Sequence, residues 1–104
     1  MAEPTLKIER DDDRTTVHVA GEIDLASAPA LERRVLEAIA GGARAVTLDM
    51  SEVSFMDSTG LRSVLTIREA AVAAGGSLVL SRPSEPVRRL LDVSGLADRI
   101  QTQA

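Results

Sequence analysis

With 104 residues, 44% of them hydrophobic and 27% charged, the chain has the length and balance of one soluble globular domain, able to bury a modest core and too short to divide in two. The absence of cysteine excludes disulfide frameworks, thiolate zinc sites and cysteine nucleophiles, and a single histidine, His18, leaves little material for acid–base catalysis or a metal site. A formal charge of −4 and one aromatic residue, Phe55, argue against nucleic acid, which rewards a basic patch and stacking platforms. The start Met1-Ala2-Glu3-Pro4-Thr5 lacks a basic, then apolar, signal pattern, and no apolar run approaches the roughly 20 residues that span a bilayer, so the expected setting is cytoplasmic, away from membranes.

Leu6-Lys7-Ile8-Glu9 alternates, and after Asp11-Asp12-Asp13-Arg14 the run Thr15 to Ala20 alternates again, which predicts a hairpin. Val17 and Val19 then share one face, and His18 points to the other as a surface strand residue. Three adjacent carboxylates cannot all face one ion, so Asp11–Asp13 reads as a turn. Gly21 ends the strand, and Ser27 as N-cap with Pro29 in the first turn predicts a helix from about Ala28 to Ala40, with Leu31, Val35, Leu36 and Ile39 on its apolar side and Gly41-Gly42 after it.

Ala45 to Met50 is a short apolar run rich in strand formers, expected as a central strand, and Ser51 to Asp57 as a loop. A second helix is expected from near Ser58 to about Ala74, with Leu61, Val64, Leu65, Arg68, Ala71 and Val72 in its stripe and Gly75-Gly76 closing it. Ser77 to Ser81 predicts another strand, and Ser84-Glu85-Pro86 opens a short helix carrying Val87, Leu90 and Leu91. Leu96 and Ile100 suggest a last packed segment. The order ββαβαβα contains two strand–helix–strand crossovers, which force parallel pairing. The pairs Arg33-Arg34 and Arg88-Arg89 read as solvated helix faces.

Leu48 to Leu61 carries the information about function. It sets two hydroxyls, Ser58 and Thr59, at the start of a helix directly after the central strand, where open α/β sheets receive ligands and partners. Either Asp57 or Ser58 can cap that helix; Leu61 removes the capping box. A helix N-terminus also accommodates a phosphate.

Met56-Asp57-Ser58-Thr59-Gly60-Leu61, with the strand before it, Gly21-Glu22-Ile23-Asp24 after the second strand, and Val87-Arg88-Arg89-Leu90-Leu91 with Gly95-Leu96 near the end, resembles the STAS domain of bacterial anti-sigma-factor antagonists. The resemblance covers essentially the whole chain and implies a single STAS-like α/β domain over residues 1–104, with a mixed four- to five-stranded sheet. It implies partner switching: the unmodified antagonist binds an anti-sigma factor that is also a serine kinase and so frees the sigma factor. ATP-dependent phosphorylation of one serine inactivates the antagonist, and a serine phosphatase restores it. Ser58 matches that serine; Asp24, Asp57, Thr59 and Gly60 match positions at or beside the partner surface, and Met56 is an expected apolar contact there.

By that resemblance the chain is a regulatory phosphoprotein of transcription, a monomer or weak dimer, without catalytic residues, metal or cofactor. Arg62 departs from the glycine that many members carry after the Gly-Leu pair, which bears on the choice of kinase. Two other readings differ in class. A hydrolase with Ser58 as nucleophile and His18 as base lacks the Gly-x-Ser-x-Gly elbow, since Met56 stands at its first position. A STAS scaffold or sensory module of a larger signalling complex is the alternative within the same fold.

Overall fold

The computed structural model describes residues 4–104. Its elements are β1 (Thr5–Asp11), β2 (Arg14–Ile23), α1 (Ala28–Ala40), β3 (Ala45–Met56), α2 (Ser58–Ala73), β4 (Ser77–Ser81), α3 (Glu85–Ser94), a short 3-10 turn (Ala97–Arg99) and β5 (Thr102–Gln103). They build one mixed five-stranded sheet in the order β1-β2-β3-β4-β5, with β1 antiparallel to β2 and the remaining pairs parallel. The expected order ββαβαβα is therefore present, extended by the 3-10 turn and an edge strand made from the polar tail.

Strand period decides which residues share a face. Ile8, Val17, Leu48 and Leu80 stand side by side in register, as do Thr15, Val46 and Leu78. This apolar face forms one continuous core with Leu31, Val35 and Ile39 of α1 and Leu61, Val64, Ile67 and Ala71 of α2. The other face carries Lys7, His18, Asp49 and Ser81 in a single row.

Four local expectations change. β3 does not stop at Met50 but runs on to Met56, so Ser51–Met56 is strand, not loop. The reason is visible in its pairing: β2 advances from His18 to Ala20 while β3 advances from Asp49 to Glu52, and again Gly21 to Glu22 against Val53 to Phe55. Each step inserts one extra residue in β3, a bulge that breaks the alternation by which a strand is recognised. β2 likewise passes through Gly21, at φ +104°, and continues to Ile23. In α2, Val72 is exposed and the stripe is completed by Ile67. Finally, Gly41 is not left-handed; Gly42, at φ +116°, makes that turn.

Gly76 shows how tightly the chain closes between α2 and β4. A Cβ at this position would stand 2.0 Å from the carbonyl oxygen of Arg44, to which Ser77 N–H donates at 2.9 Å. Gly76→Ala is expected to destabilise the fold by about 1–3 kcal/mol, read as a lower urea midpoint with an unchanged slope.

Candidate functional site

Two backbone segments meet at the carboxyl ends of β2 and β3. The first is the turn from Ile23 into α1. Asp24 accepts from the N–H groups of Ala26 and Ser27, both at 3.0 Å, and its own N–H donates to Ser27 Oγ at 2.8 Å. The Ser27 hydroxyl lies 2.6 Å from the Glu22 carbonyl and 3.0 Å from Asp24 Oδ1 and shares its one proton between them. Ser27 is thus the N-cap residue of α1, but its hydroxyl points back into the turn, not to the helix. Hydrogen bonding from Ser27, hydroxyl first and then N–H, holds the Asp24 carboxyl below its ordinary range.

The second segment is the start of α2. Asp57 is the N-cap: its backbone is extended and its carboxylate accepts the Gly60 N–H at 3.0 Å. This resolves the choice between Asp57 and Ser58. Ser58 is then the first helical residue, exposed, with its hydroxyl not needed for capping.

Gly60 joins the two segments. A side chain there would place Cβ 2.6 Å from the Ile23 carbonyl, 2.9 Å from Ile23 Cγ2 and 2.9 Å from Met56 Cγ. The Ile23 carbonyl also accepts the Asp57 N–H at 3.3 Å. The glycine of the Asp-Ser-Thr-Gly-Leu element is therefore required by a close approach between helix and strand. That approach sets Asp24 and Ser58 at the same end of the sheet.

Of the other residues singled out in the sequence, Thr59 is half-buried beside Ser58, whereas Met56 is 5% exposed and packs inward against Gly60. The apolar surface at this end is supplied instead by Leu25, 74% exposed in the turn after β2, and Phe55, 48% exposed at the end of β3. Leu25 had no periodic neighbour to mark it, and the second bulge hides which way Phe55 faces. Arg62 is exposed on α2 four residues after Ser58, one turn along the same face.

His18 is not a free surface residue. Its Nδ1 lies 2.8 Å from Asp49 Oδ2 and its Nε2 2.9 Å from Glu9 Oε1, so both ring nitrogens are engaged away from Ser58. The base required by the hydrolase reading is committed elsewhere.

The STAS domain family profile matches residues 5–104. The chain belongs to the STAS domain family. It is 36% identical over 97 residues to the anti-sigma-B factor antagonist of Bacillus subtilis (strain 168), covering 93% of this chain and 88% of that protein. Among solved structures, an anti-sigma factor antagonist from Mycobacterium paratuberculosis superposes with a TM-score of 0.86 at 29% identity, over 97% of this chain and 86% of the other. The anti-sigma factor antagonist SpoIIAA in its unphosphorylated form gives 0.80 at 25% identity, over 96% and 89%. The expected STAS fold is thereby established, and the proteins it resembles are regulators. Among the described residues, no helix is long and apolar enough to cross a membrane.

Replacing the cap and replacing the neighbouring serine should show which of the two holds the helix start. Asp57→Ala is expected to lose about 1 kcal/mol of stability, the usual cost of an N-cap. Ser58→Ala, one residue on, should stay within about 0.5 kcal/mol of the parent, as exposed positions do. Urea unfolding of the two variants checks both.

Proposed function

We propose that this protein is an anti-sigma-factor antagonist working by partner switching, with Ser58 as the phosphorylated residue. Unphosphorylated, it binds an anti-sigma factor that is also a serine kinase, and the sigma factor is released. Phosphorylation of Ser58 with ATP ends that binding, and a serine phosphatase reverses it. In this reading the protein acts by binding its partner, and the catalysis belongs to the kinase and the phosphatase. The observation that carries this reading is the placement of Ser58: an exposed hydroxyl at the first position of α2, beside a capping Asp57 and at the same sheet end as Asp24, Leu25 and Phe55. The kinship with named anti-sigma-B factor antagonists supports the class of partner.

The same placement supplies a mechanism for the off state. A phosphate adds about 1.5 to 2 negative charges at neutral pH. The positive end of α2 offsets part of that, by about 0.3–1 kcal/mol at an exposed site, so the fold tolerates the group. At a partner surface the balance reverses. A charge desolvated without a matching cation costs several kcal/mol, and each 1.4 kcal/mol is about tenfold in affinity. No large conformational change is needed, because the added charge stands in the interface itself. Asp24, Asp57, Thr59 and Gly60 shape that surface, and Met56 supports it from beneath. Arg62 lies within reach of a phosphate one turn earlier, in the i,i+4 relation of helical ion pairs, and tunes which kinase is accepted.

Ser58→Asp should melt within about 4 °C of the parent, since an exposed substitution changes stability by about 0.5 kcal/mol at most. With Ser58→Ala and Ser58→Asp as baits in a lysate of the source organism, a kinase should be retained by the alanine form alone. The retained kinase with labelled ATP should then modify the parent protein at Ser58 and leave Ser58→Ala unlabelled. Equal capture by both baits, or labelling at another residue, would return Ser58 to an ordinary helix residue and favour a scaffold role.

A further inference from the structure

The open face of the sheet carries a cleft of about 470 Å³ lined by Lys7, Glu9, His18, Asp49, Glu52 and Arg82, with Val19 and Ser51. The side chains in it are joined. His18 on β2 touches Glu9 on β1 and Asp49 on β3, and Asp49 Oδ2 also receives Arg82 Nη2 at 2.5 Å from the loop between β4 and α3. Lys7 Nζ lies 3.7 Å from Glu9. One residue therefore sits between two carboxylates on the strands either side of its own. A neutral imidazole has one N–H and one lone pair, so it can satisfy only one carboxylate and must turn its lone pair toward the other. Two contacts below 3 Å to two carboxylates require both ring nitrogens to be protonated.

The consequence reaches further along β3. Asp49 Oδ1 accepts the Ser51 N–H at 3.1 Å, and the first bulge of β3 lies between Asp49 and Glu52. The bulge sets the register of the residues that follow it on this strand, up to the second bulge between Val53 and Phe55. Arg82, at φ +49°, donates its N–H to the Gln103 carbonyl at 2.7 Å, so the same cluster is tied to the edge strand β5.

We propose that His18 is a proton-operated clasp: as an imidazolium it holds Glu9 of β1 and Asp49 of β3 at once, and on losing its proton it can keep only one of the two. Every charged group facing the ring from a packed element enters the balance. Glu9 and Asp49 favour the proton, and Lys7 and Arg82 oppose it while neutralising the same carboxylates; Glu52 adds negative charge at the rim, and Arg88 on α3 lies beyond Arg82 in the adjoining cleft. The hydrogen bond that His18 donates to Glu9, then the one it donates to Asp49, raises its pKa above the ordinary value. Because the folded value is raised, the clasp contributes fully below the unfolded imidazole value of about 6.5 and is lost as pH rises through the folded value. The carboxylates work in the opposite sense. Glu9 is lowered, chiefly by its hydrogen bond to His18. For Asp49, burial pushes upward and is outweighed by hydrogen bonds from Ser51, His18 and Arg82, so its contribution fails only as pH falls into the acid range.

His18 is the sole histidine, so its ring resonances can be followed by NMR without assignment ambiguity. The full chain is titrated from pH 5 to 9, folded and in concentrated urea. The expected midpoint is higher in the folded protein, lower again in Glu9→Gln, and shared by the Ser51 amide shift. Urea midpoints should decline between pH 6 and 9 in the parent and stay flat in His18→Gln. A folded midpoint at or below that of the denatured chain overturns the proposal; so does a Ser51 amide indifferent to the transition, or a His18→Gln protein with the parent's pH slope. Should His18→Gln not fold, the titrations of the parent and of Glu9→Gln decide alone.

Discussion

The first turn of α2 and the last residue of β2 come so close that no side chain fits between them. Gly60 lies where any Cβ would meet the Ile23 carbonyl, and that same carbonyl takes the Asp57 N–H. Much of the candidate site follows from this one contact. It fixes where α2 begins, lets the Asp57 carboxylate turn inward to the Gly60 N–H, and so leaves Ser58 outward and free. It also brings the turn built around Asp24 to the same end of the sheet. A candidate surface made from two separate segments acquires rigidity without a large hydrophobic cap, because each is internally hydrogen-bonded and the two share an anchor.

The two faces of the sheet divide the work. The apolar face supplies stability by burying α1 and α2, as a half-covered sheet must. The opposite face is held by charge, with Asp49 as its centre: it is almost fully buried, yet it joins the bulge, the imidazole and the Arg82 loop. A buried carboxylate with that many donors favours one arrangement of the strands, since a shift of register parts it from His18. The end of the sheet that carries Ser58 and the charged face are thus connected along β3, the strand that carries both Asp49 and the approach to Ser58.

The switch proposed at Ser58, an exposed helix start, suits such a frame. The charge of a phosphate is partly absorbed by the helix end within the free protein, but it has no such relief when pressed against a partner. Phosphorylation at Ser58, as proposed, would therefore change affinity much more than stability and leave the fold intact. The exposed Leu25 and Phe55 beside that point are apolar area that the proposed partner would bury.

The sequence by itself determined the element order, the helix limits of α1, the strand β4 and the cap-rich start of α2, because these depend on local period, capping chemistry and glycine punctuation. It also carried the family, through the Asp-Ser-Thr-Gly-Leu element. The length of β3, the outward face of Phe55 and the inward turn of Met56 were decided only in three dimensions, since two bulges opposite β2 shift the period and no local signal records them. His18 belongs to the same class. Its alternating neighbours mark it as facing away from the core, correctly, but Glu9 is nine residues and Asp49 thirty-one residues distant, and Arg82 enters from a third loop. Charge pairing across strands depends on register, and register is a property of the assembled sheet.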